Sequence, residues 1–274
     1  KDLLMDSQTL FSVKDKVVVV TGGGSGIGLM VTTGFVKNGA KVYITSRKAK
    51  VLEKVAEELT QMGPGKCIPV ACDLQSLEQV EQLSKSLAEQ EPQGIDVLIN
   101  NSGANWGEKT LEAFPDKAWA KVMTLNTQRV FTLTQKLLPL LKRRATLEAP
   151  ANVINVGSID GIRVTNLITP AYSASKAAVH HMTKVLAAHL GPHNITVNAI
   201  APGPFESHMM AKTLSESYNS IVSAIPLGRI GKPGDMAGVC IFLASSAGSY
   251  VNGTVIPVDG GTVVANRTYN HASL

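Results

Sequence analysis

The stretch Val17-Val18-Val19-Val20-Thr21-Gly22-Gly23-Gly24-Ser25-Gly26-Ile27-Gly28 decides how the rest of the chain is read. Four consecutive valines favour an extended segment covered on both faces. The glycines after them allow a sharper turn than residues with a Cβ permit, and an apolar-periodic stretch then runs to about Asn38 with helical spacing. Gly39-Ala40 breaks it, and Val42-Tyr43-Ile44 resumes as a strand. Strand, turn, helix and strand in this length make a βαβ unit with parallel strands.

Outward from that unit the alternation continues. Helices are expected from Lys48 to Met62, Leu77 to Glu89, Asp116 to Leu141, Tyr172 to Leu190 and Asp235 to Leu243. Strands are expected at Ile68 to Ala71, Val97 to Ile99, Val153 to Val156, Thr196 to Ile200 and Val255 to Val258. With right-handed crossovers the fold class is α/β: a single doubly wound Rossmann-type domain of about seven parallel strands flanked by helices. The domain is expected over 14–265, after a flexible, non-periodic arm at 1–13 and before a tail at 266–274.

Composition narrows the function. Hydrophobic residues make up 44% of the 274 and charged residues 17%, ample for a sheet buried on both faces. The net charge is +5, but the basic residues are scattered in short clusters such as Arg47-Lys48 and Lys142-Arg143-Arg144. That is a solvated surface with no nucleic-acid partner, and a phosphate-bearing small molecule suits it better. Cys67, Cys72 and Cys240 lie in apolar runs without metal or redox spacing, so they are read as core thiols and no metal site is expected. No apolar run reaches the roughly 20 residues of a membrane span and no secretory signal is visible. A cytoplasmic enzyme is expected; the final Ala272-Ser273-Leu274 lacks the basic middle residue of a peroxisomal address.

The glycine turn opens a helix whose free N–H groups and dipole suit a pyrophosphate. An ordinary glycine-rich turn has the same composition, and the spacing differs from the G-x-G-x-x-G fingerprint. At the end of the second strand Ser46 stands where a site for NAD would hold a carboxylate for the ribose 2′-OH. Arg47, with Lys48 beside it, suits a 2′-phosphate instead, so the cofactor preferred is NADP(H). The same pair would also serve as a solvated helix start.

Tyr172-Ser173-Ala174-Ser175-Lys176 places a phenol and an ammonium four residues apart, on one helical face. A phenol titrates near 10, and a neighbouring cation favours its ionised form. Ser158, past the strand at Val153, can hydrogen-bond a substrate carbonyl. Tyr-x-x-x-Lys alone also occurs as a surface pair; its place after the serine-tipped strand and the glycine turn changes the balance.

Thr21-Gly22-x-x-x-Gly26-Ile27-Gly28 after a first strand resembles the glycine motif of the short-chain dehydrogenase/reductases, and the resemblance runs from Lys16 to Gly261. It implies that Gly22, Ser25, Gly26, Ile27 and Gly28 cradle the cofactor, although Ser25 lacks the basic charge many NADP-using relatives carry there. Asn100-Asn101-Ser102-Gly103 looks like the family's Asn-Asn-Ala-Gly, so Asn101 and Gly103 are implied along the cofactor, and Asp73 at its adenine. Pro202, Gly203 and Phe205 are implied on the nicotinamide side. Tyr172 is implied as general acid, Lys176 as the group that lowers its pKa and binds the ribose, Ser158 as the carbonyl partner, and Asn126 as support for a proton relay. The Ser158-to-Tyr172 separation of fourteen is one longer than the family's commonest.

The implied reaction is reduction of a ketone to a secondary alcohol, or its reverse. A lid over about 203–225 carries Phe205, Met209, Met210, Tyr218 and Ile221, and Trp106 follows the fourth strand; a hydrophobic carbonyl substrate follows. The Ser102-to-Gly107 stretch, the Lys142-to-Pro150 connection and the long Ser-to-Tyr loop look most like 3-oxoacyl-[acyl-carrier-protein] reductases of the rhamnolipid-pathway type, making a 3-oxoacyl thioester the substrate implied. Family members are commonly homotetramers, so a homo-oligomer is expected. Two rivals stand beside this: a same-fold enzyme without net redox, such as a dehydratase, isomerase or cyclase, and a non-catalytic NADP(H)-binding protein.

Overall fold

Val17–Thr21 forms strand β1, buried along its whole length. Its side chains leave alternately on opposite faces: Val18 and Val20 join one hydrophobic core, Val17 and Val19 a second. An all-apolar strand is thus what a sheet covered on both sides requires. The computed structural model describes residues 5–207 and 209–265.

Six more strands follow: β2 (Lys41–Ser46), β3 (Lys66–Ala71), β4 (Val97–Asn100), β5 (Ala151–Val156), β6 (Ile195–Pro202) and β7 (Val255–Val258). They form one parallel sheet in the order β3-β2-β1-β4-β5-β6-β7, which is the expected α/β fold. On one face α2 (Gly26–Lys37), α3 (Ala49–Met62) and α9 (Pro233–Ala244) supply Phe35, Leu52, Met236 and Leu243 to the core. On the other, α4 (Leu77–Gln90), α6 (Arg129–Arg144) and α7 (Pro170–Leu190) supply Leu87, Leu137 and Leu190. Each fully buried side chain of this size contributes about 1.5–3 kcal/mol before entropy is counted.

Two elements depart from the expected ones. The helix read as continuous from Asp116 is α5 (Asp116–Met123), then a π turn at Thr124–Gln128, then α6. A π turn inserts one residue into the helical ladder, and a single wide turn is too short to be read from hydrophobic spacing alone. The second departure is the amino-terminal segment read as a flexible arm. Ser7–Leu10 forms a helical turn, α1, capped by Asp6; Ser246 Oγ donates to the Leu10 carbonyl at 2.9 Å, Phe11 packs on Phe242, and Val13 is buried. These contacts join partners more than 200 positions apart, which local sequence does not display. Residues 1–4, and the tail at 266–274 with its Ala272-Ser273-Leu274, lie outside the described residues. The segment read as a lid contains α8 (Ala211–Ser223), interrupted at Ser217.

β1 lies between β2 and β4 although β4 comes three strands later in the chain. The strand order reverses there, and in open α/β sheets the crevice outside the carboxyl ends at such a switch is where ligands bind.

Candidate active site

The glycine turn leaves β1 directly into that crevice. Gly22 has φ +66° and Gly26 φ +51°, in the left-handed region that disfavours a Cβ. Gly28 is needed for closeness: a Cβ there would lie 2.2 Å from the Gly22 carbonyl oxygen and 2.5 Å from Asn101 Nδ2. The start of α2 is thereby pressed onto the turn, with Ser25 at its N-cap making no side-chain capping bond. This backbone-lined cradle fits a pyrophosphate, whose oxygens would take the N–H groups of the first helical turn.

The loop after β4 forms the facing wall. Asn101 Nδ2 donates to the Thr21 carbonyl at 2.8 Å, and the backbone amides of Asn101 and Ser102 both donate to Thr21 Oγ1 at 2.9 Å. Thr21, the first residue of the glycine motif and one to which the sequence reading assigned no role, thus ties the two strand ends together. Gly103 faces Asn126 and Lys176: a Cβ there would lie 3.3 Å from Asn126 Oδ1 and 3.6 Å from Lys176 Nζ.

Asn126 sits inside the π turn and is buried. Its Oδ1 accepts from the Ala104 amide at 2.7 Å, and its Nδ2 donates to the Ala104 carbonyl at 2.8 Å and to Ser175 Oγ at 3.0 Å. Ser175 Oγ in turn donates to the Tyr172 carbonyl at 2.7 Å. Ser175 is a link that the Tyr-x-x-x-Lys pattern passes over as a spacer.

On α7, Lys176 is 4% exposed and donates to the Val156 carbonyl at the end of β5, at 2.7 Å. Burial pulls its pKa down to about 8. Its Nζ is 5.6 Å from the centroid of the Tyr172 ring. The Tyr172 phenol is pushed up to about 12, first by burial; a hydrogen bond with Ser158 lowers it and the negative charge of Asp160 raises it. The sequence reading had Lys176 lowering this phenol; burial is the largest influence on it, and Lys176 is not among the groups that shift it here. Ser158 Oγ also accepts from the Asp160 amide at 3.1 Å.

His180, one turn beyond Lys176, was missed. It is buried, its Nε2 accepts from the Ser158 amide at 3.4 Å, and burial followed by the Lys176 charge drives its pKa down to about 4. The i, i+4, i+8 run Tyr172, Lys176, His180 on one helix face was the available signal.

The remaining predicted residues are spread around this centre. Arg47 and Lys48 are exposed at the end of β2, near the cradle through the β1–β2 pairing. Asp73 accepts from the Gln75 amide in its own turn. Gly203 packs on Asp259, 2.8 Å from where its Cβ would be. Phe205 is 2% exposed, and a Cβ on Gly231 would lie 2.2 Å from its ring; that ring is core, not free cleft surface. Met209 and Tyr218 are about half exposed, and Trp106 donates its indole N–H to Glu108 at 2.9 Å. Burial pushes the Cys67, Cys72 and Cys240 thiols up. Among the described residues no His, Cys, Asp and Glu side chains gather as a metal site.

Comparison with known proteins bears on this arrangement. The family model described as enoyl-(acyl carrier protein) reductase matches residues 22–263. The chain is 42% identical over 253 residues to the rhamnolipids biosynthesis 3-oxoacyl-[acyl-carrier-protein] reductase of Pseudomonas aeruginosa, covering 92% of this chain and 97% of that protein. It is 35% identical over 252 residues to the 3-oxoacyl-[acyl-carrier-protein] reductase FabG of Thermotoga maritima, covering 92% and 99%. The solved Pseudomonas aeruginosa RhlG/NADP active-site complex superposes with a TM-score of 0.89 at 40% identity, covering 93% of this chain and 99% of that one. With the glycine turn, the sheet order and these matches spanning nearly its whole length, the chain belongs to the short-chain dehydrogenase/reductase family.

Proposed function

We propose that the protein is an NADP(H)-dependent oxidoreductase that reduces a ketone to a secondary alcohol, or runs the reverse, with Tyr172 as the proton donor. The observation that carries this reading is the convergence of Ser158, Tyr172 and Lys176 at the carboxyl end of β5, across the crevice from the glycine cradle. A nicotinamide cofactor held in this cradle would supply or accept the hydride. The chain's own residues handle the proton. A phenol at about 12 is fully protonated near neutrality, the form that can donate to a carbonyl oxygen as it gains negative charge. Ser158 holds that oxygen, and Lys176, cationic below about pH 8, favours the phenolate left behind. Both amide protons of Asn126 are spent on Ala104 and Ser175, so its side chain acts as a brace that fixes the helix carrying Tyr172.

For cofactor choice, Ser46 offers no carboxylate and Arg47 offers a guanidinium, and the superposed relative is an NADP complex. The cofactor set is Gly22, Ser25, Gly26, Ile27, Gly28, Arg47, Lys48, Asp73, Asn101, Gly103, Pro202, Gly203 and Phe205 with Tyr172 and Lys176, Phe205 acting from beneath as packing. The substrate is a hydrophobic carbonyl compound, a 3-oxoacyl thioester by likeness to the relatives, under a lid over about 203–225. A homotetramer is the assembly the family resemblance favours, and sedimentation measures it.

The test is loss of NADPH and NADH absorbance at about 340 nm with 3-oxoacyl thioesters and hydrophobic ketones. Turnover selective for NADPH, abolished in Tyr172→Phe with NADPH binding kept, is the expected result. Tight NADPH binding with no turnover anywhere favours the non-redox or ligand-binding readings.

A further inference from the structure

The site as proposed leaves His180 without a task, although it is buried and hydrogen-bonded to the Ser158 amide. It is 7% exposed, on the face of α7 that carries Tyr172 and Lys176. The ring lies beneath the loop that follows β5. A Cβ on Gly157 would come within 2.0 Å of His180 Nε2, and one on Gly161 within 2.9 Å of its Cε1. Two glycines thus leave room for one imidazole, and between them stands Ser158.

The hydrogen bonds give the fit a direction. The Ser158 amide donates to His180 Nε2 at 3.4 Å, and the Gly161 backbone is the ring's other hydrogen-bonding partner. With Nε2 accepting, the ring proton belongs on Nδ1, since a neutral imidazole carries one donor and one acceptor. The loop is held from the other side by the Asp160 amide donating to Ser158 Oγ at 3.1 Å and by the Gly161 amide donating to the Ser158 carbonyl at 3.0 Å. Burial, then Lys176 and Lys184 on the same helix, keep the ring neutral, while the Gly161 hydrogen bond works against them. Asp160, the acidic group of the loop, pairs with Arg163 at 3.7 Å.

We infer that His180 is a positioning residue for Ser158: its Nε2 anchors the serine's backbone amide so that the hydroxyl is aimed at Tyr172 and the substrate oxygen. The catalytic part of this rests on the oxidoreductase reading above; the anchoring does not. A buried imidazole of this kind differs from an ordinary core histidine because it bonds the residue that the chemistry uses, and an orienting group misplaced by about 1 Å can cost up to about a hundredfold in rate.

Three variants separate anchoring from packing. His180→Phe keeps a ring and removes the acceptor; His180→Met removes it with a flexible side chain, should the phenylalanine variant not fold; His180→Gln places an amide oxygen near the position of Nε2. The expected result for the variants without an acceptor is a kcat at least about 10-fold lower with KM for NADPH within about twofold, and recovery to within about threefold of wild type in His180→Gln. In a Ser158→Ala background, losing the acceptor should cost nothing further, because the lost group acts through the serine. Amide hydrogen exchange at Ser158 should be about 10-fold or more faster in His180→Phe or His180→Met and near wild type in His180→Gln.

A wild-type kcat in the variants without an acceptor, no recovery in His180→Gln, or an additive loss in the Ser158→Ala background overturns the inference. Unchanged Ser158 exchange overturns it also. A wild-type protein that turns over no carbonyl compound sinks the oxidoreductase reading instead, and the exchange measurement still decides whether His180 anchors the serine amide.

Discussion

The ammonium of Lys176 donates to the Val156 carbonyl at 2.7 Å, so one group both ties α7 to the end of β5 and charges the candidate active site. Lys176→Met removes both roles at once. Turnover should fall by about 10²–10⁴. The thermal midpoint should move by only a few degrees, because losing a hydrogen bond worth roughly 1 kcal/mol is offset by no longer burying a cation. Steady-state kinetics and a thermal melt on the same preparation check this; turnover kept would remove Lys176 from the chemistry.

Asp160 should shift the pH limb of the reaction. Its charge raises the Tyr172 phenol, and it is itself raised by burial and held down by Arg163. Removing the anion favours the phenolate, so in Asp160→Asn the phenol pKa falls. Alcohol oxidation, which needs the phenolate, should then gain its rate at lower pH than in wild type; Arg163 left unpaired pushes the same way. A kcat/KM profile against pH in the oxidative direction reads the shift, and a limb moving to higher pH contradicts the assignment.

Gly28 tests the cradle. A methyl group 2.2 Å from the Gly22 oxygen cannot be absorbed by a side-chain shift, because the obstacle is backbone. Gly28→Ala should displace the start of α2, cost about 1–3 kcal/mol of stability and weaken NADPH binding at least about tenfold. Fluorescence titration and urea unfolding measure the two effects, and full-strength NADPH binding in this variant would place the cofactor elsewhere.

Arg47 tests the choice of cofactor. Charge-assisted hydrogen bonds to a phosphate contribute about 1.5–3 kcal/mol, so Arg47→Ala should raise KM for NADPH about 10- to 100-fold. KM for NADH, which has no 2′-phosphate, should hardly move. Equal losses with both cofactors would assign Arg47 to general structure.

Much of this is legible in the sequence. The valine run, the glycine turn and the amphipathic spacing after it are local signals, and they placed β1 and α2 because strand, turn and helix preferences act over a few residues. Ser158, Tyr172 and Lys176 were found the same way, from a strand tip and a helix face. The π turn at Thr124–Gln128 was invisible, since a single wide turn between two helical runs is too short to read from apolar spacing. The docking of α1 was invisible because Phe242 and Ser246 lie far along the chain.

What the sequence determined alone was the kind of fold and the chemical types of the groups: a doubly wound α/β sheet, a glycine cradle, a phenol and an ammonium on one face. What only the tertiary structure decided was which environments those groups meet. Burial raises Tyr172 and lowers Lys176 and His180; Asn126 closes on Ala104 and Ser175; His180 comes to lie under Ser158. Those outcomes depend on contacts between residues tens of positions apart, set by the order in which the strands pair, and a desolvation energy exists only once the surrounding atoms are in place.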